Sequence, residues 1–307
     1  MNPQKTFYSN GKLFILGEYY VLQGATVFAL PTKFGQYLKV TPNQQNVLDW
    51  KSYDADKSLW YQETIPVESI QQHKQDFQNK ITNTLVDILY QANLKNPDVL
   101  QNGYSVETHL TFPRNWGLGT SSTLINNIAQ WFNINAFELL KNSFGGSGYD
   151  IACAQNNTPI TYKKTDHLPI VTPVTFNPEF TEHLYFVYLN QKRDSKEAIA
   201  NFKKKQKNLE SEIQIVSQQT QQILNTNSLT AFKNILTEYE NSLSKVLETP
   251  TIQTQLFPDF KGLVKSLGGW GGDFVLVVSD TNPTEYFKNK GYNTILSYNQ
   301  MILNSQS

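Results

Sequence analysis

Residues 116–122 read WGLGTSS, and no other stretch so narrows what this chain can fold into. The segment lies between a turn signal, Pro113, Arg114 and Asn115, and an apolar run of Leu124, Ile125, Ile128 and Trp131. Gly117 and Gly119 let the backbone turn tightly and approach a ligand closely. Thr120, Ser121 and Ser122 then open a helix, where unpaired amides and the helix dipole favour an anion. A hydroxyl at that position can also ligate a magnesium ion that bridges phosphates. The segment therefore reads as a phosphate cradle, with plain serine capping of a helix as the competing account.

The common cradles are excluded. No window supplies the Gly-x-x-x-x-Gly-Lys-Ser/Thr of a Walker A loop. Ser122 stands where a dinucleotide fold needs its third glycine, and protein-kinase signatures are absent. Lysine plus arginine equals aspartate plus glutamate at 26 each, so net charge gives no support for nucleic-acid or anionic-membrane partners. The single cysteine, Cys153, excludes an internal disulfide and a multi-cysteine metal site, and reads as a small buried hydrophobe. His167 and the other histidines lack metal spacing. No apolar run approaches a membrane span and no signal peptide is visible, so a cytoplasmic protein is expected. At 307 residues with 39% hydrophobic content, the chain suits a large core in two lobes.

Short apolar runs at Lys12–Leu16, Val27–Leu30 and Gln36–Val40 read as strands. Residues 43–66 read as irregular, with a hairpin around Tyr53 to Asp56. Phe77, Ile81, Leu85, Ile88 and Leu89 place a helix over 71–93. Tyr104 to Phe112 alternates as a strand, and helices are expected over 120–133 and 135–142. A second glycine-rich stretch, 145–150, runs into Ile151 to Ala154. Beyond residue 159 the pattern turns strand-like, and Leu184 to Leu189 reads as a buried strand. A polar helix is expected over 195–225, with a stripe of Ile199, Phe202, Leu209, Ile213 and Val216, and another over 228–246. A third glycine-rich stretch, 268–273, leads into Phe274 to Val278. Strands and helices mix without steady alternation, which favours α+β with a boundary near 160–170.

Four features now stand in order: Gly11-Lys12 with Gly17-Glu18, Gly117 to Ser122, Ser147 to Asp150, and Gly268 to Asp273. Together they resemble the GHMP kinase superfamily of small-molecule kinases, in its mevalonate kinase and phosphomevalonate kinase branch. Residues 11–24 look like the family's first motif, GLGTSS like its phosphate loop, and 268–273 like its third motif. Galactokinases open differently from Lys12 and the Tyr19-Tyr20 pair. Tyr19 and the Gly-Gly-Asp of 271–273 are similar to phosphomevalonate kinases, whereas Ser147 to Asp150 is similar to the Ser-Gly-x-Asp of mevalonate kinases. The resemblance implies a two-lobed α+β GHMP kinase fold with a left-handed crossover: a ribosomal-protein-S5-like ATP-binding lobe over 1–165 and a ferredoxin-like lobe over 166–307.

The resemblance also implies roles. Asp150 matches the aspartate that accepts the acceptor's proton, and it equally suits an N-cap for a helix starting at Ile151. Lys12 matches the active-site lysine, which would keep that carboxylate ionised and offset charge on the transferring group. Amides of Gly117, Leu118, Gly119, Thr120, Ser121 and Ser122 would bind ATP phosphates. Ser121 would ligate Mg2+, with Glu138 as second ligand or a solvated helix glutamate. Glu18 would support the first motif and, with Ser147, Gly148, Gly271 and Gly272, border the acceptor. Lys192, Arg193, Ser195 and Lys196 would help hold the acceptor or form a charged helix start. Trp50 and Trp60 lie where adenine contacts are often placed. Trp270 stands where the family usually has glycine, and either crowds the loop or packs outward. The expected activity is ATP- and Mg2+-dependent phosphorylation of phosphomevalonate or mevalonate, in isoprenoid precursor synthesis. The alternative is a GHMP-fold nucleotide-binding protein with another acceptor or a regulatory, non-catalytic role. The expected partner is the small-molecule substrate, with no nucleic acid and no membrane; a homodimer is compatible with this reading.

Overall fold

The computed structural model describes residues 3–191, 202 and 209–303. They gather into two compact units, one within Met1–Gly11, Phe34–Arg114 and Leu118–Gln155, the other within Lys12–Lys33, Asn115–Gly117 and Asn156–Ser307. Two long strands, β1 (Lys5–Leu16) and β2 (Thr26–Asn43), contribute residues to both.

The first unit continues with β3 (Val47–Tyr53), β4 (Leu59–Pro66), α1 (Val67–Gln71), α2 (Lys80–Lys95) and β5 (Gly103–Leu110). It ends with α3 (Thr120–Phe132), α4 (Ala136–Ser143) and α5 (Tyr149–Gln155). β3 and β4 form an antiparallel hairpin, and β5 lies parallel to β3 with Leu48 opposite Tyr104. That parallel pairing needs a crossover, which α1 and α2 provide. The end of β2 pairs antiparallel with β5, Gln36 opposite Leu110 and Asn43 opposite Gly103. Leu38, Leu48, Trp50 and Val106 from the strands pack with Leu85, Leu89, Ile125, Ile128 and Phe132 from the helices.

Several sequence expectations are corrected within this unit. Val27–Leu30 and Gln36–Val40 belong to one strand, β2, since Pro31 and Gly35 interrupt the apolar pattern without ending the backbone ladder. Residues 47–66 are an ordered hairpin, whose alternation of buried Leu48, Trp50 and Ser52 is obscured by the polar Ser52. The helix expected over 71–93 starts at Lys80, because Asn79 caps it by accepting from the Ile81 amide at 2.9 Å. Trp50 is 1% exposed within the core and donates to Ser52 Oγ, so it is sealed from any adenine.

In the second unit the start of β2 pairs with β6 (Ile160–Lys163), Thr26 opposite Lys163, and β6 pairs with β7 (Ile170–Pro173). Then follow β8 (Leu184–Tyr188), α6 (Glu210–Asn225), α7 (Leu229–Leu247), α8 (Ile252–Leu256), β9 (Leu263–Ser266), β10 (Phe274–Val278), α9 (Thr284–Asn289), β11 (Ile295–Ser297) and α10 (Tyr298–Met301). The sheet order β11-β8-β10-β9, antiparallel at each pairing, is the ferredoxin-like arrangement. β10 is buried along its whole length, as its unbroken FVLVV run requires of a central strand. Of the helix expected over 195–225, α6 supplies Glu210–Asn225. Ile199 and the Lys192, Arg193, Ser195 and Lys196 cluster lie outside the described residues. No helix among the described residues is long and apolar enough to cross a membrane.

Candidate active site

The glycine turn at 117–119 has left-handed backbone at both glycines, φ +67° at Gly117 and +100° at Gly119. It delivers the chain into α3, whose N-cap is Gly119 and which no side chain among the described residues caps. The helical bonding starts at Thr123, whose amide donates to the Gly119 carbonyl at 2.9 Å. Amides of Thr120, Ser121 and Ser122 are thereby left without an intrahelical acceptor. The competing account, serine capping, is not what the structure shows: the Ser122 hydroxyl turns back to donate to the Gly119 carbonyl at 2.9 Å. Ser121 is exposed and Thr120 half-buried, so their hydroxyls stand where an anion would meet the helix dipole.

What fixes α3 in place is polar, and sequence reasoning missed it. The sheet-facing side of the helix buries Thr123, Asn126 and Asn127. Thr123 Oγ1 donates to Gln36 Oε1 at 2.7 Å, Asn127 Nδ2 to the Gln36 carbonyl at 2.9 Å, and Asn126 Nδ2 to Ser9 Oγ at 2.8 Å. An apolar interface would tolerate axial sliding, whereas these directional bonds set the height of the helix start against β1 and β2.

The turn is anchored at its other end within the second unit. Trp116 packs edge-on against Phe274 at 5.4 Å between centroids, and the Tyr188 hydroxyl donates to the Asn115 carbonyl at 3.2 Å. A Cβ built on Gly117 would stand 2.2 Å from a carboxylate oxygen of Asp273. Glycine is required at 117 because the Asp273 carboxylate fills the space a side chain would take. Two of the glycine-rich stretches singled out by the sequence thus meet.

The third stretch uses its own amides. Gly271 N donates to Ser266 Oγ at 2.9 Å, Gly272 N to the Gly269 carbonyl at 2.9 Å and Trp270 N to Tyr19 Oη at 3.0 Å. Gly271 and Gly272 are buried. The Trp270 indole donates to the Pro250 carbonyl at 3.1 Å, which fastens the ring to the segment after α7.

Asp150 lies in the first turn of α5, half-buried. It is not the N-cap of a helix starting at Ile151: Ala152 N already donates to the Gly148 carbonyl at 3.2 Å, which puts Gly148 at the cap and Asp150 inside the turn. Ser147 is half-buried and Gly148 buried beside it. Glu138, on α4, is exposed and pairs with Lys95 at 2.9 Å. Lys12 is half-buried on β1 in the second unit. Trp60 carries the Arg114 guanidinium over its ring at 4.7 Å. Glu18 is 5% exposed, with its carboxylate 2.8 Å from Lys265 Nζ and accepting from the Tyr239 hydroxyl at 2.8 Å, so its surroundings are those of a supporting residue. Among the described residues no three or more histidine, cysteine, aspartate or glutamate side chains cluster as a metal cage. A magnesium ion held largely by phosphates needs no such cage.

No family model matches the sequence, and no curated protein matches it closely enough to count as a relative. Solved structures do match in shape. The mevalonate kinase of Methanococcus jannaschii matches with a TM-score of 0.71 at 12% identity, over 99% of this chain and 99% of its own. A Streptococcus pneumoniae phosphomevalonate kinase, in complex with phosphomevalonate and AMPPNP, matches at 0.70 and 15%, over 93% and 95%. The Lactococcus lactis galactokinase, complexed with galactose, matches at 0.68 and 13%, over 98% and 94%. The fold is therefore the α+β two-lobed fold of the GHMP kinase structures.

Proposed function

We propose that this chain is an ATP- and Mg2+-dependent small-molecule kinase of the GHMP type, with phosphomevalonate or mevalonate as acceptor. The observation that most supports it is the start of α3, where a left-handed glycine turn opens a helix that no side chain among the described residues caps and leaves Ser121 exposed. Such a group of amides suits phosphate oxygens. Amides of Gly117 to Ser122 would hold the β- and γ-phosphates of ATP. Ser121 would hold the magnesium ion, which supplies neutralisation of charge on the phosphate oxygens. Glu138 could join it only by giving up its ion pair with Lys95.

Asp150 would accept the acceptor's proton as the bond to phosphorus forms, with Ser147 and Gly148 bordering the acceptor. Lys12 would offset charge on the transferring phosphoryl group. An alcohol gains more from a carboxylate base than does a phosphate monoester, whose second pKa is about 6. That chemistry favours mevalonate. Tyr19 and the Gly-Gly-Asp of 271–273 favour phosphomevalonate, and these two motif details outweigh the one general electrostatic argument.

ADP release in a coupled assay, over a panel of mevalonate, phosphomevalonate and galactose, tests this reading. Turnover is expected with phosphomevalonate; with the alcohol mevalonate as acceptor Asp150→Asn should lower kcat by about 10²–10⁴, and with the already ionised phosphomevalonate by less. Undiminished turnover in that variant would end the assignment of Asp150 as base. ATP binding with no acceptor turned over would favour the second reading, a nucleotide-binding protein with another acceptor or a regulatory role. The engaged Glu138 and the tryptophan at 270 are what favour that reading.

A further inference from the structure

The second unit buries a charge cluster for which phosphoryl transfer itself has no use. Lys265, on β9, is 0% exposed, with Nζ 2.8 Å from Glu18 Oε1 and donating to the Ser266 carbonyl at 2.7 Å. Glu240, on α7, is 3% exposed. Its Oε1 stands 3.6 Å from the same Nζ, and its Oε2 accepts from the Ser266 amide at 3.3 Å. Among the described residues two carboxylates thus face one ammonium in a dry interior, a net negative charge that is costly to hold there.

One bound proton would remove that charge, and the contacts leave Glu240 the less compensated of the two carboxylates. Glu18 has an ammonium and a phenol at 2.8 Å each, whereas among the described residues Glu240 has only the long contacts. Burial is the largest cause pushing the Glu240 carboxyl up to about 7, with Lys265 opposing and Glu18 adding to the rise. The groups facing Glu240 are Lys265 from β9, Glu18 from the turn after β1, and its helix neighbour Tyr239, with Tyr20 beyond. Burial keeps the Tyr239 phenol well above its ordinary value, and Tyr20 at about 12. Both phenols stay neutral near pH 7.

The cluster is wired to the third glycine stretch. Ser266 is held by Lys265 on its carbonyl and Glu240 on its amide, and its hydroxyl in turn holds Gly271 N. Tyr19, next to Glu18, holds Trp270 N. Tyr19 has φ +66°, a conformation that an aromatic residue keeps only when its neighbours enforce it.

We propose that Lys265 and Glu240 are positioning residues for the 268–273 loop: with a proton on Glu240 the cluster is neutral and Ser266 keeps its place beneath the loop, whereas loss of that proton leaves a buried negative charge that is relieved by displacing the chain at Ser266, which loosens the loop. The consequence for turnover rests on the kinase reading above; the loop device does not.

The test uses the full chain labelled with 5-fluorotryptophan, the Trp270 resonance being assigned from Trp270→Phe. Fluorine NMR from about pH 5.5 to 8.5 should show that resonance shifting with a midpoint near 7, while those of Trp50 and Trp131 stay fixed. Glu240→Gln should hold it at its low-pH position throughout. A Trp270 resonance in the wild-type protein that does not titrate overturns the proposal, even should the variant fail to fold. So does a titration that survives in Glu240→Gln. In the coupled assay, wild-type kcat should fall about tenfold from pH 6 to 8, and that of Glu240→Gln less than about twofold. Titration of Trp270 without turnover of any acceptor would sink the kinase reading and leave the device standing. Turnover with a flat resonance would do the reverse.

Discussion

The turn at 117–122 and the loop at 268–273 share glycine and a left-handed backbone, φ +67° at Gly117 against +75° at Gly268. They differ in where their amides go. The loop donates from residues 270, 271 and 272 to Tyr19, Ser266 and Gly269. The turn delivers the amides of Thr120, Ser121 and Ser122 to a helix start that offers them no intrahelical acceptor. Both are glycine-rich stretches singled out in the sequence, one as a phosphate loop and the other as a third motif, and the distribution of their hydrogen bonds separates amides open at a helix start from amides used as a brace.

Substituting one glycine in each turn should break the comparison or sharpen it. A Cβ at Gly117 meets the Asp273 carboxylate at 2.2 Å, while one at Gly268 meets nothing within 4 Å. Gly117→Ala should therefore displace the turn, weakening binding of a non-hydrolysable ATP analogue by roughly tenfold or more and destabilising by about 1–3 kcal/mol. Gly268→Ala carries only the cost of a left-handed alanine, about 1–2 kcal/mol, with nucleotide affinity changed less than about twofold. Calorimetric titration with denaturant unfolding reads both. Equal losses of affinity in the two variants would put the loop, too, against the phosphates.

The same contrast shows what the sequence made legible. The α3 helix and the strands β5, β8 and β10 stand close to their expected bounds, because each has a strong local period or an unbroken apolar run. The start of α2 at Lys80 is not legible in the sequence, because residues 72–79 carry no regular pattern and their turn at His73, φ +53°, leaves no composition signal. Trp50 illustrates a different failure. Its place in the resemblance pointed to adenine, while its alternation with Leu48 and Ser52 in β3 puts it in the core. The cluster of Glu18, Glu240 and Lys265 was beyond reach, since the first and last are 247 residues apart and no local pattern links them. The polar seating of α3 on Ser9 and Gln36 was hidden likewise, because its partners lie on distant strands.

A smaller effect is expected at the brace. Tyr19→Phe removes the acceptor of the Trp270 amide and leaves a partly buried donor unsatisfied, costing about 1–3 kcal/mol. Denaturant unfolding should show that loss with nucleotide affinity nearly unchanged. A wild-type unfolding midpoint in the variant would mean that the loop does not depend on this tether.

The smallest effect is expected at Glu138, where the cradle would gain or lose a second metal ligand. Its partner Lys95 is 2.9 Å away, and both side chains are about half exposed, at 51% and 47%. An exposed ion pair of this kind contributes about 0–1 kcal/mol, so Glu138→Gln should barely alter stability. A metal ligand behaves otherwise, because losing a carboxylate from a magnesium shell raises the concentration of ion needed for half-maximal turnover. Given the pairing with Lys95, that concentration should change less than about twofold, whereas Ser121→Ala should raise it by about tenfold or more. A tenfold shift in Glu138→Gln as well would place Glu138 in the magnesium shell, and would require Lys95 to release it when nucleotide binds.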